Sequence, residues 1–374
     1  MSLVWQRRRH LPSASVATGA SGFLCFAVLA IIAPLATYTL TLAAFGLPHV
    51  LSELRYVDRR FGRRIARHIL LAVAILLPAI VAIRASVVFH VISAEHGVPA
   101  ELGGVAALAL ACARGPVRQK ALALLIAGAL GVATALSPFT TAITLSILHN
   151  ATPLGFFWQI APRRARPRVM MLATFALIGL PLLVATGWPR EALALLVGTI
   201  PAFDPLHAGP LAAHLYVYVP PQFVATHAAI DLFTASVVAQ GAHYASVIVV
   251  LPLLLRRFDP RARGLILWPR GLSFAALCGA AVVLGLARSF EGFAEARALY
   301  GIFASIHAWI EIPVLIVALS ASGQACSQTP KRKDAELARS DTSMARSMRS
   351  AAIHAMSMPS TNTTSTSSTK IAGQ

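Results

Sequence analysis

Charge is what this chain has least of. Only 12% of its 374 residues are Asp, Glu, Lys or Arg, 57% are hydrophobic, and the mean hydropathy is +0.70. A water-soluble domain of that composition has too little polar surface to show to solvent, which excludes an ordinary globular fold. Acidic residues are scarcer than basic ones, 14 against 32 Lys and Arg, and the formal net charge is +18. The excess does not mark a nucleic-acid binder, because the arginines fall in short clusters between apolar runs with no aromatic-plus-basic recognition module beside them. The 4 cysteines, Cys25, Cys112, Cys278 and Cys326, share no CxxC spacing, and the first three lie within apolar stretches. Their arrangement implies no disulfide framework, and without CxxCH a covalent c-type haem is excluded. A Walker loop, a dinucleotide glycine fingerprint and HExxH are all missing, and no serine or cysteine stands at a suggestive spacing from a base.

What the chain does have is long apolar runs punctuated by arginine. Clusters at Arg7 to Arg9, Arg55 to Arg67, Arg114 to Lys120, Arg163 to Arg168, Arg256 to Arg263, and in the tail from Lys331 read as cytoplasmic loops by the positive-inside rule. Between them lie paired apolar runs. Residues 69–91 and 102–113 flank Glu95, His96, Pro99 and Glu101, residues 121–137 and 139–160 meet at Ser137-Pro138, and residues 264–287 and 298–320 flank Arg288 to Arg297. Each pair predicts a membrane hairpin with its tip outside. Further spans are expected at 169–187 and about 226–255, with an ambiguous run at 191–201. Between them the Pro-rich stretch 202–225 is expected to be external or re-entrant, suited to a pocket lid. Residues 17–48 fit either one helix kinked at Pro34 or a short hairpin.

The expected fold is an all-α polytopic integral membrane bundle of about 8 to 10 transmembrane helices. A basic N-terminal segment (1–16) precedes the transmembrane domain (17–322), and a basic, Ser/Thr-rich, disordered tail (323–374) follows it. The N-terminus reads as a retained signal-anchor, and the expected location is a bacterial inner membrane, crossed many times. Oligomeric state is not readable.

Histidine carries the functional signal. His149, His243 and His307 fall near the middle of long apolar segments and His49 closes another, and imidazole at bilayer depth needs partners. His307 is followed four residues later by Glu311, on the same helical face. A carboxylate at that depth costs roughly 2 to 3 kcal/mol, so Glu311 asks for a cation, a proton or a metal. His49 and Glu53 repeat the spacing, as do His227 and Asp231. Gly241 allows close helix approach beside His243, and Tyr244 next to it can donate a hydrogen bond. His149 precedes a polar, kinked stretch containing Asn150, Thr152, Pro153 and Gly155.

Imidazoles gathered in a bundle suit Fe, Cu or Zn, and histidine with a carboxylate and open positions suits non-haem Fe(II) with O2 as co-substrate. Bis-histidine haem is also compatible. The leading expectation is a metalloenzyme, an oxygenase acting on a lipid-soluble substrate such as an isoprenoid. His49, His149, His243 and His307 would hold the metal, Glu311 would ligate it or orient a ligand, and Tyr244 would touch oxygen or substrate. A proton-coupled transporter with a His307–Glu311 relay and a non-catalytic membrane protein are the alternatives.

The segment Gly46-Leu47-Pro48-His49, with Glu53 four positions on, resembles the Gly-Leu-Pro-His motif of the Brp/Blh family of membrane-embedded carotene dioxygenases. The family pattern has a second histidine directly after the acid, where this chain has Leu54. The resemblance spans about ten residues and implies a multi-span helical protein in which membrane histidines hold an iron that cleaves a carotene with O2. It nominates His49 as a ligand.

Overall fold

The computed structural model describes residues 13–198, 203–259 and 262–321, and all the secondary structure there is helical. The expected 323–374 tail and most of the 1–16 segment lie outside the described residues. In chain order the α-helices are α1 (Ser13–Ile32), α2 (Pro34–Phe61), α3 (Arg67–Val88), α4 (Ala94–Ala111), α5 (Val117–Leu136), α6 (Pro138–His149), α7 (Pro153–Ile160), α8 (Arg166–Thr174), α9 (Leu180–Ala185), α10 (Trp188–Val197), α11 (Ala229–Ala245), α12 (Leu251–Phe258), α13 (Leu272–Glu291) and α14 (Phe293–Ala321). Single π-turns, Phe175–Gly179 and Ser246–Val250, join α8 to α9 and α11 to α12, so each pair runs as one element. Pro34, Pro138 and Pro153 each open a helix, where a missing N–H costs nothing and a fixed φ helps.

Eight helices among the described residues are long and apolar enough to cross a membrane. Large apolar side chains such as Leu71, Ile75, Leu125, Val132, Leu182, Val283 and Leu284 point outward, as the lipid-facing surface of a multi-pass integral membrane protein requires. The spans are not equally enclosed. In the most apolar windows of Pro34–Phe61 and Ala229–Phe258, 61% and 56% of residues are buried, against 6% for Leu272–Glu291 and 11% for Arg67–Val88. The central helices are therefore α2 and α11–α12, and with α14 packed on α2 they carry His49, His243 and His307.

Several expected boundaries shift. The helix breaks at Ala33, before Pro34, so residues 17–48 divide between two helices. Helix α2 continues through Pro48 to Phe61, which places His49 inside a helix instead of at the end of one. The run 139–160 is two short helices interrupted at Asn150 to Thr152, so His149 ends α6 and does not sit mid-span. Residues 288–297, expected as a loop, are helical apart from Gly292. The charges there misled, because Arg288 and Glu291 pair with each other within α13. Helix α4 begins at Ala94 and absorbs Glu95, His96, Pro99 and Glu101 from the expected tip.

Polar contacts tie the arginine-rich end together. Arg60 pairs with Asp259 and donates to Gln159, Arg64 reaches Asp259 at 3.0 Å, and Asp58 accepts from the Leu265 and Ile266 amides and Trp268 Nε1. The basic loops after α2, α7 and α12 thus meet on one side, as the charge bias predicts. The irregular stretch after α10 is packed, not dangling: Leu206, Leu215, Tyr218 and Val219 are buried with Tyr38 and Phe233. Asp204 closes its first turn by accepting from the Ala208 and Gly209 amides, each at 2.9 Å. Burial works to raise its pKa, but the Ala208 and Gly209 N–H groups, joined by His207 and the Leu206 amide, outweigh it and keep the carboxyl below its usual range.

Gly285 marks a close backbone-to-backbone helix crossing. A Cβ there would strike the Ala43 carbonyl oxygen, a backbone atom that cannot swing away. Gly285→Val is expected to cost about 3 kcal/mol or more by forcing α13 off α2. Gly279→Ala, on the same helix with nothing within 4 Å, is expected to be neutral, and thermal unfolding in detergent compares the two.

Candidate metal centre

Four helices bring one imidazole each to a common point. His49 comes from α2, His149 from the end of α6, His243 from α11 and His307 from α14. One ligand nitrogen from each lies within 4.8 Å of every other, so the cluster is able to hold a metal ion. His49, His243 and His307 are 1% exposed or less. His307 Nε2 is the hub, 3.1 Å from His49 Nε2 and 3.0 Å from His149 Nε2. Nitrogens bound about 2.1 Å from one ion and at right angles are about 3.0 Å apart, while tetrahedral ligands are about 3.4 Å apart. The hub spacing is of the order that ligands sharing one ion require. It does not fit the haem alternative, because a macrocycle needs a flat slot between its two imidazoles and these nitrogens crowd a single point.

The outer ring nitrogens explain why the inner ones point inward. His49 Nδ1 donates to the Phe45 carbonyl at 3.2 Å, which leaves Nε2 with its lone pair. His149 Nδ1 donates to Glu311 Oε2 at 2.7 Å, with the same result. Glu311 Oε1 accepts from Thr152 Oγ1 at 3.0 Å, so the break between α6 and α7 supplies both a ligand candidate and the clamp on its partner. A carboxylate that fixes a histidine tautomer and raises its basicity is the usual outer support of a histidine metal site. Glu311 is thus placed to orient His149 rather than to ligate directly.

Glu53 is the residue that spacing alone undervalued. It sits one turn past His49 on α2, is fully buried, and neither carboxyl oxygen has a hydrogen-bond donor. Its Oε2 lies 3.3 Å from His243 Nε2 and 3.9 Å from His307 Nε2. A buried carboxyl without donors is expensive, and this one stands beside two imidazoles of the cluster, His243 and His307. Both His243 ring nitrogens and His307 Nδ1 also lack hydrogen-bond partners.

Tyr244 lies on the cluster's flank. Its ring packs on His49 with centroids 4.2 Å apart, and its hydroxyl accepts from Gln240 Nε2 at 2.5 Å and stands 3.4 Å from Tyr300 Oη. The Gly of the Gly-Leu-Pro-His segment has a physical task here. A Cβ on Gly46 would lie 3.0 Å from the Tyr300 ring, so glycine lets that ring pack close to α2 beside His49 without shifting. Beyond the cluster opens a cavity of about 490 Å³ lined by His49, His149, His243, His307, Tyr244 and Glu311, with apolar walls from Leu42, Leu102, Ile143 and Leu315. The stretch once expected as a lid contributes Val217 and Tyr218 to that wall.

All six residues singled out from sequence therefore meet in one place. The third His-x3-acid pair does not join them, since His227 is exposed and Asp231 is bound by Arg190 at 2.7 Å. Gln240, Tyr300 and Thr152 had no sequence signal beyond polarity inside an apolar run. No protein-family model, curated protein or solved structure matches the chain.

Proposed function

We propose that the chain is a membrane-embedded non-haem iron oxygenase acting on a lipid-soluble, isoprenoid-like substrate, placed in a bacterial inner membrane. The observation that carries this reading is the convergence of four imidazoles, with the buried and donor-less carboxyl of Glu53 beside two of them, His243 and His307. Nitrogen ligands with a carboxylate and room for further ligands suit Fe(II) and O2 better than a closed structural zinc site. The Gly46 to Glu53 resemblance to Brp/Blh carotene dioxygenases implies the same chemistry. Iron held there would supply the activation of O2.

The remaining work falls to the chain itself. His49, His149, His243 and His307 would hold the ion, and Glu53 would offset its charge. Glu311 keeps His149 in the tautomer that presents Nε2, and Thr152 keeps Glu311 from turning away. Tyr244 borders the cavity, its hydroxyl accepting from Gln240 and hydrogen-bonded to Tyr300, so the two phenols form the polar edge beside the substrate's seat. The apolar cavity wall excludes water and seats a hydrocarbon.

Purification in detergent followed by metal analysis and an absorption spectrum tests the reading. About one iron per chain with no Soret band is the expected result. A protein that takes up no iron under anaerobic reconstitution would sink it, and zinc bound in its place would exclude the oxygenase while keeping the site.

A further inference from the structure

The cavity contains two arginines, and only one of them is already neutralised. Arg84 is occupied: its guanidinium donates twice to Glu101 Oε1, at 2.8 and 3.1 Å, and Trp309 Nε1 donates to the same oxygen. Arg297 has no such partner. Among the described residues no Asp or Glu oxygen lies within ion-pair distance of it, and its hydrogen bond goes to a neutral group, His214 Nδ1, at 2.9 Å.

The identity of that neutral group is fixed by its other side. His214 Nε2 donates to the Ala208 carbonyl at 2.9 Å, so Nδ1 carries the lone pair that accepts from Arg297. Burial, and after it the adjacent guanidinium, hold His214 below the ordinary imidazole range despite the Ala208 bond, so the ring adds no charge. The Tyr38 hydroxyl is within reach of the same guanidinium. Arg297 is thus aimed and held, with its positive charge uncompensated, at a wall of the cavity that contains the histidines.

The cavity is long. Its lining runs along α14 from Arg297 to Leu315, and Arg297 precedes His307 by about 15 Å at about 1.5 Å per residue. We propose that the cavity binds an acidic lipid, with its carboxylate on Arg297 and its chain laid along α14. The histidine cluster then meets the chain well away from the head group. This rests on the oxygenase reading for its chemistry, but the binding claim stands or falls separately. A wholly apolar ligand would leave Arg297 facing hydrocarbon, whereas a carboxylate gains charge-assisted bonds from a donor already in position.

The test uses the full chain in detergent, cis-parinaric acid and its methyl ester, and energy transfer from tryptophan as the readout. The acid is expected to bind about tenfold more tightly than the ester, the scale of one charge-assisted hydrogen bond. Arg297→Leu should weaken acid binding by that factor and leave ester binding and iron content unchanged, while Arg297→Lys should retain part of the preference. Comparing each ligand between wild type and variant cancels its partition into micelles. Equal binding of acid and ester by the wild type, or undiminished acid binding in Arg297→Leu, overturns the proposal. Acid preference in a chain that takes up no iron would leave this inference standing and the oxygenase reading fallen, and iron without acid preference would do the reverse.

Discussion

His307→Ala is expected to abolish iron retention, with affinity reduced more than about 100-fold. Loss of an outer support alone costs about 10- to 100-fold at histidine metal sites, and His307 is the inner hub. It is the imidazole that stands within 3.1 Å of two others, His49 and His149. Its removal leaves the remaining nitrogens without a common neighbour and opens a void beside Glu53. The measurement is iron per chain after reconstitution and gel filtration, with His227→Ala as the control. His227 is exposed and has the same spacing to an acid, so a generic effect of losing a histidine would show there too. Full iron content in His307→Ala would falsify the shared-centre geometry.

Replacing Glu53 separates a metal site from a mere polar cluster, because the two predict opposite signs. In the metal-free chain the Glu53 carboxyl accepts no hydrogen bond, so Glu53→Gln should unfold at a temperature equal to or above that of the metal-free parent. In the presence of Fe(II) the order should invert. At 100 times its dissociation constant a ligand adds about 2.7 kcal/mol to the parent, and the variant should lose most of that gain. The thermal shift on adding iron, measured for both proteins after chelator treatment, decides the matter. A variant that is destabilised without metal and still shifts fully with it would mean that Glu53 serves packing and not a cation.

Much of the bundle is legible in composition because lipid imposes a simple rule. Apolar runs of span length between arginine clusters must be helices, and most of them are. Boundaries were less legible where charge pairs locally: Arg288 and Glu291 look like loop residues until one sees them bonded within a helix. The histidines could be nominated from depth, but depth does not give direction. His-x3-acid spacing fixes only that two side chains share a face of their own helix, and three such pairs occur. Two turn that face to the centre, while the third gives its acid to Arg190. Which face looks inward is decided by packing that no local pattern records, such as Gly285 against Ala43 and Gly46 against Tyr300. His149 was legible as a kink, yet its role depends on Thr152 and on a partner 162 residues away.

That distance bears on how the protein comes into being. His49 and His307 touch across 258 residues of sequence, on an early helix and on the last one described. During membrane insertion Glu53 and the first three histidines must wait in the bilayer for α14 to arrive. Until then the cluster lacks its hub, and a nascent chain cannot load metal in its final arrangement. A metal ion held there would join an early helix of the bundle to the last one described, and so would report that the helices between them had been inserted.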